Sequence, residues 1–210
     1  MTISLVIPLL LALGATPAST DARFGAVTAA PLPAGSLAVY ATGGYPEFRG
    51  GFRQGLGTFE VAAEAGFNYM LMKVDAEGVA RTPLFDRGAL KLSLDAFLGG
   101  FANGGAQFED MKNTKGAGVR FGAASTLTLR TSWPVSFYAS AKLPVEIPLT
   151  NTGLTRLQVL FGGGAEVAIY PDYFLVFGTA FGPEYRRPSA SAGYARLAVE
   201  LMVGVGYRLF

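Results

Sequence analysis

Between residues 58 and 72 the chain alternates strictly. Phe59, Val61, Ala63, Ala65, Phe67, Tyr69 and Leu71 are apolar, and the positions between them include Glu60, Glu64 and Asn68. A period of two places each set on one face of an extended strand. The pattern recurs at Leu90, Leu92, Leu94, Ala96 and Leu98 against Lys91, Ser93 and Asp95, and at Val119, Phe121, Ala123, Leu127 and Leu129 against Arg120, Thr126, Thr128 and Arg130. Further on, Val135, Phe137, Ala139, Ala141, Leu143, Val145 and Ile147 oppose Ser136, Ser140, Lys142 and Glu146, and Leu157, Val159, Phe161, Ala165, Val167 and Ile169 oppose Arg156, Gln158 and Glu166. Tyr173, Leu175, Phe177, Phe181 and Tyr185 enclose Gly178, Ala180, Gly182 and Glu184. In the last segment Leu197, Val199, Leu201, Val203, Val205, Tyr207 and Leu209 enclose Arg196, Glu200, Gly204, Gly206 and Arg208. Runs of this length exceed the ~5–6 residues of an ordinary strand and the ~9–11 that cross a bilayer. The polar faces are rich in Gly, Ala, Ser and Thr, which suits a narrow interior. The pattern predicts an all-β, antiparallel up-and-down barrel with its apolar face turned to lipid.

Turn chemistry sets the strand count. Gly57, Asn103-Gly104, Thr131-Ser132-Trp133 and Tyr170-Pro171-Asp172 read as tight connections, Asn-Gly being a strong hairpin signal. Residues 73–88, with Asp75, Glu77, Arg81, Asp86 and Arg87, read as a long charged loop, and Arg186-Arg187-Pro188 opens another. Ten strands follow, at 36–44, 48–56, 58–73, 88–101, 105–112, 117–130, 134–148, 154–169, 172–186 and 193–210. With both termini on the periplasmic side, all four tight turns then fall on that side. Apolar parity changes from odd at Leu37, Val39 and Ala41 to even at Phe48, Phe52 and Leu56, which supports a break at Gly43-Gly44-Tyr45-Pro46. If that motif is a bulge and 105–112 is loop, eight strands remain.

Composition changes the picture by exclusion. The 210 residues contain no Cys and no His, which removes disulfides, Cys-based zinc sites, His ligation and the His-dependent nucleophile systems. Charged residues are 15%, against about 25% in a typical soluble domain. The mean hydropathy is +0.35, yet no apolar run past residue 14 is long enough for a transmembrane helix. Net charge is +2 without a basic cluster, so nucleic acid is not an expected partner. Residues 3–13 form a short apolar stretch followed by Gly14, Ala15, Thr16, Pro17, Ala18 and Ser19, which reads as a cleaved export signal over 1–22. Residues 23–35, with Pro31 and Pro33, read as a periplasmic linker, and 36–210 as the barrel.

The inward positions carry Glu60, Glu64, Asp95, Glu146, Glu166, Glu184 and Glu200 against Lys91, Arg120, Arg130, Lys142, Arg156, Arg196 and Arg208. Balanced signs in a low-dielectric lumen predict pairing that closes it, whereas a selective pore shows one dominant sign. Phe59, Tyr69, Trp133, Tyr173, Tyr185 and Tyr207 sit near strand ends on the apolar face and read as interfacial girdles. Gly162, Gly163 and Gly164 lack the pattern of a phosphate loop and read as close backbone packing or a bend. Glu109-Asp110 could be a catalytic or calcium site, though a solvated loop accounts for it.

Over about residues 36–210 the chain resembles the small outer-membrane β-barrels of Gram-negative bacteria, the OmpA- and OmpX-like group. The signal-like N-terminus, the alternation, the turns and a terminal strand ending Val205-Gly206-Tyr207-Arg208-Leu209-Phe210 carry the resemblance. That ending is similar to the group's assembly signal, which implies that Tyr207, Leu209 and Phe210 are read by the barrel-insertion machinery. Phe210 departs in register from Tyr207 and Leu209. The resemblance implies residence in the outer membrane, lipid as the surrounding partner, no cofactor, and a structural or surface-interaction role or at most a small non-selective pore. No surface ligand is identified. An outer-membrane enzyme acting on lipid or protein without His and a soluble lipocalin-like ligand-binding barrel are the alternatives.

Overall fold

A computed structural model describes residues 28–29, 32–105, 115–188 and 192–209. Eleven strand segments follow one another: β1 (Leu37–Tyr45), β2 (Glu47–Gly55), β3 (Glu60–Asn68), β4 (Lys73–Arg87), β5 (Leu90–Asn103), β6 (Gly116–Arg130), β7 (Val135–Pro148), β8 (Leu154–Gln158), β9 (Leu160–Ala168), β10 (Tyr173–Pro188) and β11 (Tyr194–Leu209). Apart from β8 and β9, each pairs antiparallel with its chain neighbours, and β1 closes onto β11 from Leu37 opposite Leu209 to Tyr45 opposite Leu201. Segments β8 and β9 form a single stave, because Val145 facing Leu157 and Lys142 facing Leu160 share one register. Its ladder lapses at Val159, where Pro144 and Pro183 flank it on the two sides. Val159 donates to the Pro183 carbonyl at 3.0 Å, and Pro183, without an N–H, returns no bond. The barrel therefore has ten staves and no free sheet edge around its circuit.

Ten staves arise differently from the sequence expectation. Residues 73–87, expected as a loop, form β4, and the expected strand at 58–73 ends at Asn68. The strand expected at 105–112 lies outside the described residues except for Gly105, which is not in a strand. The connections at Gly57, at Thr131-Ser132-Trp133 and at Tyr170-Pro171-Asp172 share the end that carries the chain termini. Asn103-Gly104, expected there too, lies at the opposite, far end, where β5 gives way to β6. Arg186 and Arg187 belong to β10 rather than to a loop. Gly57 and Gly88 turn the chain at the terminal end with φ of +95° and +60°, a backbone that favours glycine.

The alternation resolves into two surfaces. Leu98, Phe161, Phe181, Leu197, Val203 and Val205 stand exposed on the outside, Leu98 at 67%. Arg53, Glu60, Lys73, Glu77, Arg120, Glu146, Arg156 and Glu184 are buried inside. A lipocalin-like barrel turns its apolar face inward; this one is built the other way round. The inner wall is smoothed where rings from one strand lie over glycines of the next. Phe97 covers Gly122, Phe101 covers Gly118, and the Tyr138 hydroxyl sits beside Gly164 and Gly178. The glycine triplet is thus a flat seat in β9, with its backbone packed against β7 and β10.

Candidate functional site

Among the described residues, polar groups of many strands converge in the lumen, in layers along the barrel axis. In the upper layer, toward the far end, Arg49 of β2 meets Asp75 at 2.8 Å, Glu47 and Glu77 at 3.1 Å and Glu64 at 3.4 Å. Arg120 of β6 reaches Glu77 at 2.7 Å and Glu146 at 2.9 Å. The Glu146 carboxylate also takes the Lys73 ammonium and has Arg156 at 3.7 Å. Arg156 bonds Glu184 at 2.7 Å, and Glu184 also accepts from Arg186 and, at 3.1 Å, from Gln158. One chain of ion pairs thereby runs across the lumen from β2 to β10. Lys73 and Arg120 lie against the Phe101 and Phe97 rings at 5.9 and 5.8 Å, so their alkyl and planar faces are covered too.

The lower layer, at the terminal end, is built from separate pairs. Arg53 donates through Nε to Glu60 at 3.0 Å, Arg81 holds Asp95 by two bonds at 2.6 and 2.7 Å, and Lys91 pairs with Asp86. The segment before β1 enters here. Thr28, Ala29 and Leu32, within the stretch read as a linker, are each about 1% exposed at the barrel mouth. The carbonyl of Thr28 accepts from Arg81 at 3.1 Å and from Arg53 at 3.5 Å, Ala29 N–H donates to Thr128 Oγ1 at 2.7 Å, and Leu32 N–H donates to Glu60.

Between the layers lies a cavity of about 200 Å³. Tyr40, Phe97, Tyr138, Leu160 and Met202 form apolar parts of its wall, and Lys142 and Glu200 project along it. Lys142 stands 5.4 Å from the centre of the Phe97 ring. The wall is open here because inward positions on the β6 to β11 side are small, including Ala124, Ser140 and Ala180.

The sequence-expected charges divide among these layers. Arg120, Glu146, Arg156, Glu184 and Glu64 join the upper network, with Glu64 also accepting from Tyr40. Glu60, Lys91 and Asp95 belong to the lower pairs. Lys142 and Glu200 line the cavity, and Arg196 lies beside Arg156 and Glu184 near the far end. Glu166 lines a second cavity of about 270 Å³ at the terminal mouth, and Arg130 is half-buried at the same end of β6. Arg208 meets its partners at the rim, Pro171 O at 3.0 Å and Asp172 at 3.3 Å, and not across the lumen. Sequence reasoning misses Glu47, Arg49, Arg53, Lys73, Asp75, Glu77, Arg81 and Arg186. For β4 the signal is present: Lys73, Asp75, Glu77 and Arg81 alternate with Val74, Ala76, Gly78 and Ala80. The density of charge in the same stretch imitates a solvated loop.

On the outside, Phe59, Trp133, Tyr173 and Tyr207 ring the terminal end, with Tyr173 and Tyr207 at 4.6 Å between centres. Tyr69 and Tyr185 lie toward the far end, Tyr69 packing on Phe48 at 5.8 Å. Leu209 ends β11, whereas Phe210, the export signal at 1–22 and Glu109-Asp110 lie outside the described residues. Among the described residues no group of three acidic side chains is placed to hold a metal ion.

No family model and no curated protein matches the chain. Among solved structures it is similar to the KdgM porin in complex with disordered oligogalacturonate, with a TM-score of 0.47 and 9% identity over 83% of this chain and 99% of that one. It is also similar to Neisserial surface protein A, at 0.38 and 16% identity over 82% and 92% of the two chains. The N-terminal β-barrel domain of Pseudomonas aeruginosa OprF follows at 0.34 and 10% identity, over 83% and 96%. At these scores the likeness ends at the barrel, and function is read from its own surfaces.

Proposed function

We propose that the protein is an outer-membrane barrel of a Gram-negative bacterium with a closed lumen, a non-enzymatic scaffold that presents its far-end connections at the cell surface. The observation that carries this reading is the combination of an apolar exterior with an ion-pair chain running through the interior from β2 to β10. Such a surface is stable only against lipid, because a closed barrel satisfies its backbone internally and leaves apolar side chains for the hydrocarbon. An interior spanned by paired charges favours neither cations nor anions and leaves no continuous water column of the kind larger barrels hold.

Export proceeds through a cleaved signal peptide, and the insertion machinery reads β11 with its apolar outer face. Surface recognition then falls to the connections over 104–115 and 189–193, since 73–87 and Arg186-Arg187 are barrel wall. Two measurements test the reading. Fractionation is expected to place a heat-modifiable protein in the outer membrane, and recovery in the soluble periplasm refutes the location. Planar-bilayer recording of the purified protein is expected to show no large steps; a large, ion-selective unitary conductance refutes the closed lumen.

A further inference from the structure

The wall of the cavity between the layers carries charges that are not all matched. Glu47, Glu64 and Glu77 pair with Arg49, and Asp95 pairs with Arg81. Among the described residues Lys142 and Glu200 are the two charged groups of this wall that reach no opposite charge at ion-pair distance. Lys142 has the Phe97 ring at 5.4 Å, and Glu200 bonds through its main-chain carbonyl, to Thr179, and not through its side chain. Both are half-buried, on β7 and β11, where a charge is costly to keep without a partner. The wall between them is bare. Ser140 faces Gly162, Gly162 faces Ala180 and Ala180 faces Glu200, so one row of the sheet runs from the residue two before Lys142 to Glu200 with nothing larger than a methyl group between its ends. Gly162 is required in this row, because a methyl there would lie 2.5 Å from the Thr179 carbonyl.

The cavity also reaches the barrel wall. β1 stops at Tyr45 opposite Leu201, so β11 from Tyr194 to Glu200 is paired on its β10 side and not on its β1 side. Tyr45, Glu47, Glu200 and Leu201 border the cavity at this gap. Entry there passes beside the ion-pair chain, which includes neither β1 nor β11, and breaks none of its pairs.

We propose that the cavity is a binding site for a zwitterion of dipeptide size, with its carboxylate on Lys142, its ammonium on Glu200 and an apolar side chain against Phe97, Tyr138, Leu160 and Met202. A plain anion satisfies Lys142 and leaves Glu200 facing it, and a plain cation does the reverse; a guest carrying both signs satisfies both. Three strand spacings of about 4.8 Å set the ends of the row roughly 14 Å apart along the curved wall. Two extended residues span about 7 Å, and the Lys142 and Glu200 side chains reach inward to take up the rest. At about 200 Å³ the cavity is smaller than the roughly 300 Å³ at which drug-sized pockets begin, which limits the guest to this size. The proposal goes beyond the closed-lumen reading and leaves it intact, because the site has an entrance and no exit through the lower layer.

The probe is L-alanyl-L-leucine, titrated calorimetrically into refolded, heat-modifiable protein in a non-ionic detergent. It is expected to bind one to one, and its N-acetyl and C-amide derivatives, which each keep a single charge, are expected to bind about tenfold more weakly. Lys142→Met is expected to abolish the preference for the free carboxylate over the amide, and Glu200→Gln the preference for the free amine over the N-acetyl form. Neither substitution strands an ion-pair partner, so both variants are expected to remain heat-modifiable; should one fail to fold, the derivatives on the parent protein still decide. Absence of binding at millimolar dipeptide, equal affinity for the singly charged derivatives, or an unchanged preference in either folded variant overturns the proposal, while a silent bilayer recording then leaves the closed lumen standing.

Discussion

Replacing Glu146 by Gln removes one charge at the busiest point of the upper network while keeping the shape of the side chain. Arg120 retains Glu77 at 2.7 Å and Arg156 retains Glu184 at 2.7 Å. Lys73 is left with Asp75 at 3.8 Å as its remaining carboxylate, and its side chain is 1% exposed. At an effective dielectric of about 20, a unit pair near 3 Å is worth about 6 kcal/mol before desolvation. Breaking a buried pair from one side costs about 3–5 kcal/mol net. Two of the three cations keep a near partner, so the loss falls mainly on Lys73 and the low end of that range, about 3 kcal/mol, is expected. The assay is reversible urea unfolding of the refolded protein in lipid vesicles, followed by fluorescence of the single Trp. Lys73→Met combined with Glu146→Gln is expected to lose markedly less than the two single variants added together, because the ammonium that Glu146→Gln strands is then absent. A loss below about 1 kcal/mol in Glu146→Gln, or strict additivity in the double variant, refutes the account of the network.

Val203, exposed on the outer face of β11 opposite Gly43 and Phe177, is expected to cost about 2–4 kcal/mol on replacement by Arg if it faces the hydrocarbon midplane, measured by the same unfolding assay. An unchanged stability in that variant refutes the lipid-facing assignment of β11. Gly164→Ala is expected to destabilise by about 1–3 kcal/mol through overpacking, because the added methyl overlaps the Phe177 carbonyl and lies 2.7 Å from the Tyr138 hydroxyl; an unchanged midpoint refutes the seat described for Tyr138.

Which residues face lipid and which face the lumen is legible in the chain alone, because a side-chain period of two assigns faces without knowledge of any partner. Leu98, Val203 and Glu146 can be placed in this way from their neighbours. Strand membership is less secure where charges are dense: Lys73, Asp75, Glu77 and Arg81 keep the period, but a charged stretch looks like a loop until a lumen exists to receive it. The short strand Glu47–Gly55 hides Arg49 and Arg53 for the related reason that its outward positions include only Phe48 and Phe52 as large apolar groups. Who meets whom is settled by closure of the barrel. Lys73 finds Glu146 across 73 residues of sequence, and Arg208 finds the rim and not a lumen partner, because the stagger of the closed staves sets the height of every inward side chain. Closure likewise places Thr28, Ala29 and Leu32: nothing in their composition marks them for burial at the mouth, and the seat of Arg53, Glu60 and Thr128 exists only once β2, β3 and β6 are brought around one axis.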